Sequence, residues 1–230
     1  GNWRDTHFRV VGPAVTEMQI TFLTDWYFSR KELLDDARYF PKALSDGDIT
    51  MQIASSGPMD RWNVTMQGMM RIITQAKKYV YIESPYLIPT EPILSALRDS
   101  ALAGVDVRLI IPYYGDRGII PPLATRSYVS DALEAGVKVY FYKGGYMHSK
   151  TMVSDDEIVT IGSTNLDVRS FEQDFEMNAF IYDARLAQQM KDVFLADQDF
   201  SNEVKADEWA KRPKLEKLKE SYARLFSPLL

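Results

Sequence analysis

From Asp48 onward the chain alternates short β-branched and aromatic runs with helical patterns, and no other feature restricts its fold so tightly. The order is strand (ITMQIASS), helix (64–76), strand (YVYIES), helix (91–103) and strand (VDVRLII), with a few residues of turn chemistry between neighbours. Strands separated by helices pair through crossovers, which favours parallel neighbours. Thr90 ahead of Glu91-Pro92 marks a helix start, and Gly104 and Gly136 mark stops. A helix near 127–135, the strand VKVYFY, and closely spaced strands around HSKTMV, EIVTIG and FEMNAFIY complete the set. The expected class is α/β: a mixed, largely parallel sheet with helices on both faces.

Ahead of this unit lie a strand-like run at 6–11 ended by Gly12-Pro13, a helical pattern at 14–28, and a charged stretch at 29–48 broken by Pro41 and Gly47. That stretch is the expected linker, with a boundary near Ser45 dividing 1–45 from 46–230. The polar opening without a Met reads as a cut from something longer. At the other end, EVKADEWAKRPKLEKLKE has mixed charge and few apolar anchors, so it reads as a solvated terminal helix without a functional role. No apolar run is long enough to cross a bilayer.

Composition narrows the chemistry. With no cysteine among 230 residues, thiol nucleophiles and thiolate metal sites are excluded, and two histidines argue against a polyhistidine metal site. A net charge of -5 argues against a general binder of nucleic acid.

Within YMHSKTMV, His148 and Lys150 are two residues apart in a run that reads as a buried strand, so both face the same side. An ammonium there needs an anion beside it, either a carboxylate or a substrate phosphate. Gly162-Ser163-Thr164-Asn165 follows the next strand and can direct backbone N–H, hydroxyl and amide groups at one anion. Taken singly, a lone histidine is more often a hydrogen-bonded core residue, and GSTN is an ordinary turn.

Together, His148-x-Lys150-x4-Asp155 and Gly162-Ser163-x-Asn165 reproduce the paired motif of the phospholipase D superfamily at six fixed positions. The chain also resembles bacterial cardiolipin synthases, in the C-terminal half of those enzymes, through WRDTH, GPAV, SSGP, SPYLIP, ATRSY and ARLFSPLL. This resemblance implies a phospholipase-D-like fold and a phosphatidyl transfer between two phosphatidylglycerol molecules, releasing glycerol through a phosphohistidine. It further implies that Lys150, Ser163 and Asn165 hold the phosphate and that no metal or other cofactor is needed. A carboxylate should orient the histidine; Glu176 matches the family position, with Glu172 and Asp174 as competitors. Asp155 matches the motif aspartate, usually described as structural. Tyr86, after a strand end, and Arg126, in a Pro-rich loop, are weaker expectations for the substrate cleft.

Relatives carry two such motifs and this chain one. His7 has no lysine two residues on and no GSxN after it, so it is no substitute. The resemblance therefore makes residues 1–45 the tail of a first half that supplies the other histidine, unless a second copy does, and the chain alone is expected to be inactive. It also implies work at the cell membrane, with any anchor outside this chain. Two alternatives remain open: a homodimeric single-motif phosphodiesterase or nuclease, and a non-catalytic lipid-binding module.

Overall fold

The strand Tyr79–Glu83 (β3) is buried at every position, and its side chains divide by period two between two cores. Val80 and Ile82 enter one, formed with the helices Val64–Gln75 (α2), Glu91–Leu102 (α3) and Ile120–Glu134 (α4), whereas Tyr79 and Tyr81 enter the other, under the helix Ala184–Asp199 (α6). Burying both faces requires helices on both sides, as the pattern predicts. The computed structural model describes residues 2–42, 47–115 and 118–230; the boundary expected near Ser45 lies outside them.

The remaining elements are the strands Trp3–Arg4 (β1), Thr50–Ser56 (β2), Asp106–Pro112 (β4), Lys138–Tyr142 (β5), Tyr146–Met147 (β6), Thr151–Ser154 (β7), Ile158–Gly162 (β8), Glu176–Tyr182 (β9) and Ser201–Glu203 (β10). The other helices are Ala14–Arg30 (α1), Val168–Glu172 (α5), Ala206–Ala210 (α7) and Lys214–Arg224 (α8). The large sheet runs β10-β5-β4-β3-β7-β8-β9-β2. Here the expected pairing is corrected. Only β3–β4 and β4–β5 are parallel, and the other five pairs are antiparallel. Crossover helices α3 and α4 make the parallel pairs, while the tight turn at 155–157 returns the chain directly from β7 into β8.

Three local expectations also change, and one helix, α6, has no counterpart among the expected elements. Residues 6–11 have no strand partner among the described residues, and the strand at this end is β1, paired in parallel with β6. The helix expected from 127 starts at Ile120, because Pro121 and Pro122 occupy its first turn, where a missing N–H costs nothing. α6, whose charged sequence hid its apolar stripe, is capped by the Asp183 side chain accepting from Leu186 N–H at 2.9 Å. The terminal segment is no single solvated helix: Pro213 divides it into α7 and α8, and α8 buries Glu220 and Ala223. Arg224 reaches Asp131 of α4 at 2.7 Å, and Trp209 donates to Ser130 at 3.2 Å. No helix among the described residues is long and apolar enough to cross a membrane.

Candidate active site

β7 is antiparallel to β3, so its first residue, Thr151, pairs with Glu83, the last of β3. The residues just before β7 therefore sit at the carboxyl edge of the parallel strands, where open α/β sheets gather their ligands. His148 and Lys150 occupy that place. They do not lie in a continuous strand: β6 joins β1, β7 joins the large sheet, and 148–150 cross between them. The alternation survives the break, with Ser149 fully buried and accepting or donating to Thr6 Oγ1 at 2.8 Å, while His148 and Lys150 are both partly exposed.

His148 is held from the N-terminal segment. Its N–H donates to Arg4 O at 2.7 Å, its ring lies 4.6 Å from that of Trp3, and its Nδ1 is 2.8 Å from Asp5 Oδ2. A carboxylate acceptor makes Nδ1 the protonated nitrogen and leaves the Nε2 lone pair available for attack or for proton transfer. This corrects one expectation: the carboxylate on His148 is Asp5, not Glu176. Glu176 instead accepts from the Ser163 hydroxyl, and burial raises its pKa in spite of that bond. Of its competitors, Glu172 is exposed and Asp174 is paired with Arg169.

Lys150 Nζ donates to His148 O at 2.6 Å, and the same residue lines a small crevice whose polar side chains include Glu83, Ser84, Thr164 and Asn178. Gly162 N–H donates to Lys150 O at 3.3 Å, so the GSTN turn starts beside the lysine. Glycine is required there, because a Cβ would come within 2.2 Å of Asn178 Oδ1. Asn178, which sequence reasoning missed, shapes the turn by accepting from Thr164 Oγ1 at 2.7 Å and donating to Thr160 at 3.0 Å. The Asn165 side chain reaches Asp167, and its own Oδ1 has no hydrogen-bond partner among the described residues. Ser163 is exposed, with its hydroxyl proton directed at Glu176.

The outlying candidates divide. Tyr86 lies in the 84–88 loop, which is tied to the segment after GSTN by Ile88 N–H to Leu166 O at 3.0 Å and Val168 N–H to Ile88 O at 3.1 Å. Arg126 is not in a loop but within α4, where its guanidinium lies 5.8 Å from the Tyr113 ring and lines a narrow crevice with Tyr86. Asp155, which the resemblance places in the catalytic motif, is at the far end of β7 from His148 and apart from the reacting groups. Its carboxylate accepts the N–H groups of Lys77, Lys78 and Tyr79 at 2.7, 2.9 and 2.9 Å, and these bonds outweigh burial to lower its pKa. Asp155→Asn is expected to cost about 1–2 kcal/mol of stability through weaker acceptance of those three donors. Chemical denaturation at neutral pH measures it, and an unchanged midpoint would contradict the anchoring role.

Residues 69–198 match the family model described as "Cardiolipin synthase, PLD-like domain". The chain belongs to this family. Similar proteins include "Cardiolipin synthase 2" of Staphylococcus epidermidis and "Cardiolipin synthase" of Staphylococcus aureus, each 44% identical over 100% of this chain and 47% of the relative. A Listeria innocua cardiolipin synthase is 43% identical over 100% of the chain and 48% of its own length. The chain thus spans about half the length of these curated relatives. Among solved structures, phosphatidylserine synthase of Haemophilus influenzae has a TM-score of 0.66 at 17% identity, covering 79% of this chain and 48% of that one. The phospholipase D family member Nuc of Salmonella typhimurium has a TM-score of 0.58 at 19% identity, covering 69% and 99%. Both share the fold.

Proposed function

We propose that the full-length protein containing this chain is a cardiolipin synthase, moving a phosphatidyl group from one phosphatidylglycerol to a hydroxyl of another at the cell-membrane surface. The observation that carries this reading is the Asp5–His148 bond beside Lys150, which frees Nε2 at a phosphate-competent edge. Residues 1–45 are read as belonging with the other half, and 46–230 as the second phospholipase-D-like domain.

In the first step one imidazole Nε2 attacks phosphorus, the bond from phosphorus to the glycerol oxygen breaks, and the departing alkoxide takes a proton from the imidazole opposite. In the second, a hydroxyl of the incoming phosphatidylglycerol loses its proton to that second imidazole and attacks phosphorus, and the N–P bond breaks. Lys150 and Asn165 stabilise the non-bridging oxygens, where charge is redistributed in the transition state. His148 supplies one imidazole and the other half supplies its partner. This division accounts for a histidine that is partly exposed, with Trp3 and Tyr146 beside its ring, rather than inside a closed cavity.

Supplying the full-length enzyme with phosphatidylglycerol labelled in its head group should release one labelled glycerol per cardiolipin formed. The same lipid labelled at phosphorus should leave a transient acid-labile phosphoryl label on histidine. Phosphatidic acid as the only lipid product would replace transfer with hydrolysis, and turnover by a proven monomer of this 230-residue chain would end the two-half reading.

A further inference from the structure

α8 hides Glu220 and Ala223 against its neighbours, yet it turns a second apolar stripe into water. Leu215, Leu218, Tyr222 and Leu225 follow each other at helical spacing and are 62%, 66%, 64% and 74% exposed. Ile119 and Ile120, at the start of α4, are 77% and 43% exposed. Between the two helices runs a groove of about 460 Å³ in which Lys219 is the one charged side chain among the described lining residues. Single exposed leucines are ordinary, but a contiguous stripe beside a groove marks a docking face.

The charge around this stripe indicates the occupant. The chain carries a net charge of -5, but residues 211–224 hold six basic residues (Lys211, Arg212, Lys214, Lys217, Lys219, Arg224) against two acidic ones (Glu216, Glu220). Arg212 is paired with Glu220 and Arg224 with Asp131, whereas Lys214 and Lys219, on either side of the stripe, have no ion pair among the described residues. A second copy of the chain would set this basic face against itself in any two-fold arrangement. A surface that is apolar and anionic at once satisfies both features.

We propose that α8 and the first turn of α4 form a docking face for an anionic phospholipid bilayer, with the leucine stripe in the acyl boundary and Lys214 and Lys219 at the head groups. α4 begins just beyond the carboxyl end of β4, the same edge of the sheet at which His148 and Lys150 stand. A bilayer seated here meets the edge that carries the reacting groups. The orientation towards substrate rests on the lipid-transfer reading; the binding itself does not.

Flotation of this chain with vesicles tests the docking face without turnover. Vesicles of phosphatidylcholine containing about a third phosphatidylglycerol should retain it, and pure phosphatidylcholine should retain it much less. Lys214→Glu with Lys219→Glu should weaken retention by about 25-fold or more, at roughly fivefold per lysine removed. Leu215→Ser with Leu218→Ser should abolish retention while the melting temperature and circular dichroism stay those of the parent. The proposal is overturned by equal retention of parent and variants, by indifference to phosphatidylglycerol, or by a stripe that proves to hold a dimer, seen as a serine variant turning monomeric on gel filtration. Product analysis of the parent full-length enzyme in detergent micelles reports separately on the transfer reading.

Discussion

Replacing Asp5 with Asn in the full-length enzyme is expected to lower kcat by about 10²–10⁴-fold with little change in KM, because the change touches the tautomer of His148 and not the substrate. The carboxylate can only accept, so it selects the imidazole with hydrogen on Nδ1. An amide can also donate, which permits the opposite tautomer and places a hydrogen on the nitrogen that the proposed transfer needs free. Asp5 is half exposed and its ion pair contributes little to stability, so the folded protein should survive the change. Steady-state kinetics and the ¹⁵N shifts of the His148 ring check the two parts together. An unchanged rate with an unchanged tautomer would remove Asp5 from the positioning role, and a changed rate with an unchanged ring would point to a distortion elsewhere.

Asp5 also marks the limit of what the chain reveals as a string of letters. Its partner is 143 residues away, and no period, cap or turn signal spans such a distance. The acid named from the family pattern, Glu176, lies on the expected strand beside the motif, but it accepts from Ser163. Local features were legible. The strand–helix order from β2 to β5 follows from side-chain period and turn residues, and Gly162 was legible as a close backbone approach because only glycine tolerates one. Non-local features were hidden. β1 owes its pairing to β6 rather than to propensity, and the antiparallel half of the sheet depends on which strands become neighbours. Arg126 was read into a loop because two prolines usually interrupt helices, although at the first turn they start one.

The second large effect lies beneath the same N-terminal segment, where Arg4 engages Asp197 through Nε to Oδ1 at 2.9 Å and a second guanidinium nitrogen to Oδ2 at 2.6 Å. Glu83 is buried next to them, accepts from Thr151 Oγ1 at 3.1 Å, and leaves Oε1 without a donor. Burial first, and then the charge and hydrogen bond of Asp197, push its pKa up to about 8. Oε1 is therefore a proton donor at neutral pH, and one proton shared with Asp197 gives Oε1 the partner it otherwise lacks.

The consequence for stability has a definite sign. A carboxyl whose folded pKa is raised holds its proton longer in the native state than in the unfolded chain, so stability is full below about pH 4.5 and declines as pH rises towards about 8. Glu83→Gln keeps a donor and removes the charge. It should match the parent near pH 5 and exceed it by about 2–4 kcal/mol near pH 9. Arg4→Met should act in the opposite direction, costing about 3–5 kcal/mol at neutral pH, because the buried Asp197 carboxylate loses its counter-charge. Guanidinium unfolding across pH 5–9 measures both. Parallel curves for parent and Glu83→Gln would dismiss the shared proton. If the Arg4 variant regains stability towards pH 5, where Glu83 is neutral and adds no negative charge beside Asp197, the loss belongs to charge and not to packing, and β1 is held against β6 by an ion pair that also carries Asp5 to His148.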